Sequence, residues 1–241
     1  DVLARTVTPD EALLEYLGDH GLNRISRRLV TSGALDVVAT AVPGIRDILV
    51  LGKVKSLSRE TRLDLVLLDA PAAGHAITFL GSARGLMDAV KVGPINTQAR
   101  DVMELLTDPA LCRVLLVTLP EETPVNELVE TAYNLEDRVG VSLGPVIVNG
   151  MYPELAGIGA DPEVAARAAG AALRAGEAAH LSDAATFRRE RTELQAEQVR
   201  RLADQLPLPQ IALPFLFSAD LGPADLRGLS DRMTAGIEAL P

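Results

Sequence analysis

The chain has no tryptophan, and aromatic residues make up only 3% of its 241 positions. Its core must therefore be assembled from Leu, Val, Ile and Ala, which suits parallel strands covered by packed helices. Cysteine occurs once, as Cys112. That excludes an intrachain disulfide framework and a multi-thiolate metal site. Cys112 opens an apolar run and reads as a buried thiol. Long apolar runs are also missing. No stretch approaches the ~18 residues of a membrane span and no signal-peptide pattern occurs, so the chain reads as cytoplasmic and not as an integral membrane protein. Basic charge is scarce: 23 Lys and Arg face 33 Asp and Glu, for a net charge of −10 and a pI near 4.8. Nucleic acids and anionic membranes call for a basic footprint, so neither is expected as a partner.

What is present is a hydrophobic content of 48% over a length sufficient for one large α/β domain. The central stretch runs from Leu63 to Leu80. Leu65 to Leu68 is a continuous apolar run of strand length, which predicts a central parallel strand buried on both faces, and Asp69 ends it. Pro71-Ala-Ala-Gly74 then forces a turn. In open parallel sheets the crevice beyond the carboxyl ends of strands is where ligands bind. There Asp69, Gly74 and His75 are placed to meet a metal-bound phosphate or an activated water. The plainer alternative is that Asp69 caps the following helix and His75 sits on a surface turn.

Before that stretch, Val2 to Val7 alternates as a short edge strand, and Thr8-Pro9-Asp10-Glu11 is a capping box opening a helix to about Leu17. A second helix, Leu22 to Val30, sets Leu22, Ile25 and Leu29 against a solvated face of Arg24, Arg27 and Arg28. A third helical stretch precedes Pro43-Gly44, and a fourth runs from Ile45 to about Leu57, with Ile45, Ile48, Leu49 and Val54 on its apolar side. After His75, Gly81 and Gly85 predict a short or broken helix between Ile77 and Val90, followed by a helix from Thr97 to Leu106. Leu111 to Leu119 is a second buried strand ending in Pro120-Glu121-Glu122-Thr123-Pro124. A helix follows to about Arg138. Gly144 to Gly150 is a third strand, ending on Asn149-Gly150. Helices are then expected from Asp161-Pro162 to His180 and from Ser182 to Leu206, the latter packing through Phe187, Leu194 and Leu202. Pro209 to Leu213 is a last strand. A loop carrying Phe215, Phe217 and Asp220 leads into a terminal helix from Pro223 to Leu240. This alternation predicts an α/β fold, a mostly parallel sheet with helices on both faces, plus a helical layer at about 9–58 and 81–107, in a single domain over 1–241.

The order of these strand ends resembles the ArsA/Get3 family of anion-transporting ATPases, P-loop NTPases that act as dimers. Asp69-Ala-Pro-Ala-Ala-Gly74-His75 is similar to the family's Asp-Thr-Ala-Pro-Thr-Gly-His switch II segment. Pro120-Glu121-Glu122-Thr123-Pro124-Val125 resembles its Pro-Glu-x-Thr-Pro-Val segment, and Val146-Ile147-Val148-Asn149 its Val-Val-Asn strand end. Leu213-Pro214 to Asp220 is similar to the loop that closes over adenine. The resemblance covers most of the chain and is weakest across Ala156 to Arg200. It implies a P-loop NTPase-like fold and Mg²⁺-ATP as the ligand. Asp69 would hold Mg²⁺, Gly74 would approach the γ-phosphate, and His75 would follow nucleotide state. Asn149 would bond adenine, with Pro214 and Phe215 closing over it. It also implies a homodimer, or a heterodimer with a related ATPase subunit, coupled to a client protein.

Two departures qualify that expectation. The chain contains no Gly-x-x-x-x-Gly-Lys-Ser/Thr, whose amides, lysine and hydroxyl cradle phosphate and Mg²⁺. Gly52-Lys53-Val54 lies in a helical pattern and is no substitute. The phosphate loop of the family would precede Asp1, so the expectation is an N-terminally truncated ATPase that binds and hydrolyses ATP poorly as it stands, the alternative being a non-catalytic dimerisation partner. The threonines of the family's switch II are Ala70, Ala73 and Ala76 here. Arsenite coupling needs several soft thiolates, which one cysteine cannot provide. Met87 and Met103 read as core residues and not as the lining of a client groove. A Rossmann-type module would need a Gly-rich turn after the first strand, and Val2 to Thr8 has none.

Overall fold

The computed structural model describes residues 2–19 and 44–240. The expected helix at 22–30, its arginine face, and the helical stretch before Pro43 lie outside these residues. Contacts divide the chain into two compact units. One comprises the described residues of Asp1–Val114 with Thr131–Leu143, and the other comprises Leu115–Glu130 with Gly144–Pro241.

The first unit is helical. It contains α1 (Pro9–Asp19), α2 (Ile45–Ser58), α3 (Ala73–Ala89) and α4 (Pro94–Thr107). Thr8 caps α1 as its sequence predicts, accepting the Glu11 N–H at 3.3 Å. α2 packs on α1, α3 and α4, and α3 packs on α4. The core is aliphatic: Ile45, Ile48, Leu49 and Leu51 from α2, Leu80, Ala83 and Leu86 from α3, Ala99, Val102 and Leu106 from α4, with Phe79 as its aromatic member. α3 is one continuous helix of 17 residues, not the short or broken element expected from Gly81 and Gly85. Glycine costs about 1 kcal/mol in a helix. Burial of Phe79, Leu80, Ala83 and Leu86 along one stripe exceeds that cost.

The largest departure concerns the expected central strand. Residues 64–72 form no strand: Leu65 is 73% and Leu67 80% exposed, and Asp69 lies in the same exposed, irregular stretch. A strand needs a neighbour to take its backbone groups, and residues 64–71 make no backbone hydrogen bond to another described residue. The apolar run satisfies the composition of a buried strand without the partners. Val2–Val7 likewise forms no strand, although Val7 packs on Ala12 and Leu49.

The second unit holds the sheet, three parallel strands in the order β1-β2-β3: β1 (Val117–Thr118), β2 (Val146–Met151) and β3 (Gln210–Pro214). Val117 pairs with Ile147, and Ile147 with Ile211. α5 (Glu122–Asn134), continued by a π-turn at Leu135–Val139, leads from β1 towards β2. The expected strand Leu111–Leu119 shrinks to β1 and a single bridge between Val114 and Leu143. β1 pairs on one side only, and Leu115, Val117 and Leu119 are exposed.

Between β2 and β3 lie α6 (Pro162–Ala168) and α7 (Glu177–Gln205), and α8 (Pro223–Glu238) closes the chain. Asp161 caps α6, accepting the Glu163 and Val164 N–H groups at 2.8 and 3.1 Å. The helix expected to reach His180 stops because Gly170 takes a φ of +67°, the left-handed turn that ends helices. α7 does not pack through Phe187 and Leu194, which are 65% and 53% exposed. Its buried side is Gln195, Gln198 and Leu202. The architecture is thus helix-rich with a small parallel sheet, compatible with the α/β class. Among the described residues no helix is long and apolar enough to cross a membrane.

Candidate functional site

The carboxyl ends of β2 and β3 build one edge of the sheet unit. Their register slips between Val148 and Met151, leaving Asn149 and Gly150 in a bulge. Gly150 sits there with φ +78°, a region that side-chain-bearing residues avoid. Bulges bend a strand and re-aim its side chains. Here Asn149 is exposed immediately after the fully buried Val146, Ile147 and Val148. Beyond the bulge pairing resumes: the Phe215 N–H donates to the Met151 carbonyl at 2.8 Å. That bond sets Phe215, next to Pro214, beside the end of β2.

Three aromatic rings gather at this edge. Tyr152 lies 5.0 Å from Phe215 and 5.3 Å from Phe217, and the two phenylalanines are 4.8 Å apart edge to face. These are the separations at which tilted rings attract. In a chain with so few aromatics, half the phenylalanines stand at one corner of the sheet. The Arg188 guanidinium lies 4.2 Å from the Tyr152 ring centroid and 4.9 Å from that of Phe217, and it donates to the Pro153 carbonyl at 2.7 Å. Arg191 pairs with Glu121, in the loop after β1, and Gln195 bonds the backbone of Gly150 and Tyr152. A cluster of tilted rings at the same sheet edge as an exposed carboxamide offers a ring face on which a flat heterocycle can stack and a group that can hydrogen-bond its edge.

Asp69, Gly74 and His75 belong to the helical unit. Asp69 does not cap α3, whose N-cap is Ala72, so the plainer alternative fails for it. Gly74 and His75 occupy the first turn of α3, both exposed. The three residues thus fall within one exposed stretch of seven positions, and Asn149, Pro214 and Phe215 share the sheet edge of the other unit. Gly52-Lys53-Val54 lies within α2, where Lys53 pairs with Glu15 and Gly52 abuts Gln98, so this segment is no phosphate loop. Among the described residues no group of three or more His, Cys, Asp or Glu could hold a metal ion. Burial pushes the Cys112 thiol up from its ordinary pKa, and the side chain is half-buried, as expected for an inert thiol.

Arg188, Arg191 and Gln195 escaped the sequence reading. Their spacing of three and four residues marks one stripe of a helix, next to the positions Phe187 and Leu194 that hydrophobic spacing predicts to pack. The polar residues face inward because strand ends present backbone groups that only polar side chains can satisfy.

No family model matches the chain. The chain is 32% identical to ATPase BagA of Mycobacterium tuberculosis over 159 residues, which are 63% of this chain and 46% of that protein. A Mycobacterium bovis protein provisionally named as an ATPase matches to the same extent. A Halobacterium salinarum protein, provisionally named an arsenical pump-driving ATPase, is 26% identical over 193 residues, 77% of this chain and 26% of its own length. The chain spans about half the length of the first of these relatives. Together they support an ArsA-like ATPase relationship.

Proposed function

We propose that the chain supplies the base-recognition edge and a switch segment of an ArsA-like ATPase that couples Mg²⁺-ATP binding and hydrolysis to a partner protein. The observation that carries this reading is the exposed Asn149, set by a bulge at the end of a buried parallel strand, at the same sheet edge as the Tyr152, Phe215 and Phe217 rings. Asn149 hydrogen-bonds the adenine edge, and Pro214 with Phe215 covers the ring.

Asp69 holds Mg²⁺ through water. A single carboxylate is a usual protein ligand for that ion, which keeps most of its waters and takes its other ligands from phosphate oxygens. Bound Mg²⁺ neutralises charge that develops on the transferring phosphoryl group. Gly74 leaves room for backbone to approach the terminal phosphate, and His75 senses whether that phosphate is there. The active form is a dimer, of like or related subunits, and the exposed Leu65 and Leu67 favour a protein surface as cover. Cys112 alone makes no thiolate cluster within this chain, which disfavours arsenite as the cargo.

The test is Mg²⁺-dependent ATP hydrolysis by the full-length protein and its Asp69→Asn variant. A loss of at least ~100-fold is expected, in line with losing a charged group from a phosphoryl-transfer site. Unchanged hydrolysis would remove Asp69 from the mechanism. The one-sided pairing of β1, with Leu115, Val117 and Leu119 exposed, favours a second reading, a dimerisation partner that binds no nucleotide. Nucleotide binding by the full-length protein would exclude it.

A further inference from the structure

β1 ends at Thr118, while β2 continues to Met151. Successive residues of a strand turn their backbone groups to alternate sides. At the end of β2, the Met151 carbonyl faces β3 and takes the Phe215 N–H. The Gly150 carbonyl and the Tyr152 N–H face the other way, past the point where β1 could pair with them. Gln195 of α7 fills that place. Its Oε1 accepts the Tyr152 N–H at 2.8 Å, and its Nε2 donates to the Gly150 carbonyl at 3.0 Å. A carboxamide carries the same donor and acceptor as a peptide group, so one side chain replaces one residue of a neighbouring strand.

Gln195 is 2% exposed, so its two hydrogen bonds are shielded from water, and its loss would leave the Gly150 carbonyl and the Tyr152 N–H without these partners. Both bonds end on the residues flanking Met151, Gly150 within the bulge that presents Asn149 and Tyr152 just beyond it. The same side chain therefore fixes the backbone that aims Asn149 and the backbone that carries the Tyr152 ring. Gln198, one turn along the same buried stripe, makes a natural contrast, because its Oε1 has no partner.

We propose that Gln195 is a positioning residue for base recognition, holding Asn149 and Tyr152 in the geometry that prefers adenine to guanine. The inference rests on the base-edge reading of Asn149. A carboxamide pairs with the donor and acceptor of adenine in one orientation and presents the wrong groups to guanine, so selectivity depends on a fixed orientation. Loss of the clamp lets the turn adopt alternatives that accommodate either base.

The experiment is an NMR titration of the full chain with adenosine and, separately, guanosine, for wild type, Gln195→Met and Gln198→Met. Nucleosides isolate the base from any phosphate contact. Wild type is expected to bind adenosine at least about tenfold tighter than guanosine. Gln195→Met is expected to bring the two affinities within about twofold, and Gln198→Met to leave the preference intact. A merely structural loss would weaken both nucleosides equally and keep their ratio. An unchanged ratio in folded Gln195→Met overturns the proposal. If that variant does not fold, the side-chain NH₂ resonances of wild type decide. Adenosine must shift those of both Asn149 and Gln195, and a shift at Asn149 with none at Gln195 overturns the proposal. No shift at Asn149 overturns the base-edge reading itself, and the proposal with it.

Discussion

A methyl group on Gly236 would lie 2.5 Å from the Ile211 Cγ2, so α8 meets β3 with no room for any larger residue. Ile211 is 2% exposed and cannot move aside freely. Gly236→Ala is therefore expected to destabilise the sheet unit by about 1–3 kcal/mol, the usual cost of overpacking. Gly228, in the same helix, meets nothing within 4 Å. Gly228→Ala is expected to be neutral or to stabilise by about 0.5–1 kcal/mol. Chemical denaturation of the two variants checks both signs.

Gly150 holds the left-handed conformation at the bulge, with φ +78°. A Cβ there would make only ordinary contacts, 3.5 Å to Leu119 and 3.9 Å to Phe215, so conformation and not crowding sets the cost. Gly150→Ala is expected to lose about 1–2 kcal/mol of stability. The relaxed bulge would also mis-aim Asn149, weakening adenosine binding more than Gly236→Ala does. Denaturation and nucleoside titration on both variants separate the two effects.

Arg188 and Phe187 are neighbours with opposite expected sensitivities. The guanidinium covers two aromatic rings and bonds the Pro153 carbonyl, whereas Phe187 is 65% exposed. Arg188→Met is expected to cost about 1–2 kcal/mol, and Phe187→Ser less than about 0.5 kcal/mol. The reverse order would restore the packing face expected from hydrophobic spacing.

Hydrogen bonds from Lys53 and Arg5 hold the Glu15 carboxyl below its ordinary value of 4.5. The folded state thus resists protonating Glu15 more than the unfolded chain does. The stabilisation is present above about pH 4.5 and is lost as pH falls through the lower folded value. Thermal denaturation between pH 6 and 3 is expected to fall less steeply for Glu15→Gln than for wild type. The group is partly exposed, so salt should diminish the difference.

Elements whose partners lie close in sequence were legible without coordinates. The Thr8 cap, Pro223 at the start of α8, and the Val146-Ile147-Val148-Asn149 strand end all stand where local rules put them. Elements that depend on distant partners were not. Leu65 to Leu68 has the composition of a buried strand but no neighbouring backbone among the described residues, and α7 buries Leu202 as its spacing predicts but turns Gln195, not Phe187 and Leu194, inward. The same logic governs the site. Asn149 is legible as a strand-end residue and Phe215 as part of the loop after the last strand, whereas Arg188 and Gln195 gain meaning only once α7 lies against the end of β2.

The most direct measurement is photolabelling of the full-length protein with 8-azido-ATP, followed by mapping of the modified peptides. The expected result is label on residues 149–152 and 214–217, abolished by excess unlabelled ATP. Competable label confined to the helical unit, or label that excess ATP leaves in place, would contradict a base-binding edge at the ends of β2 and β3.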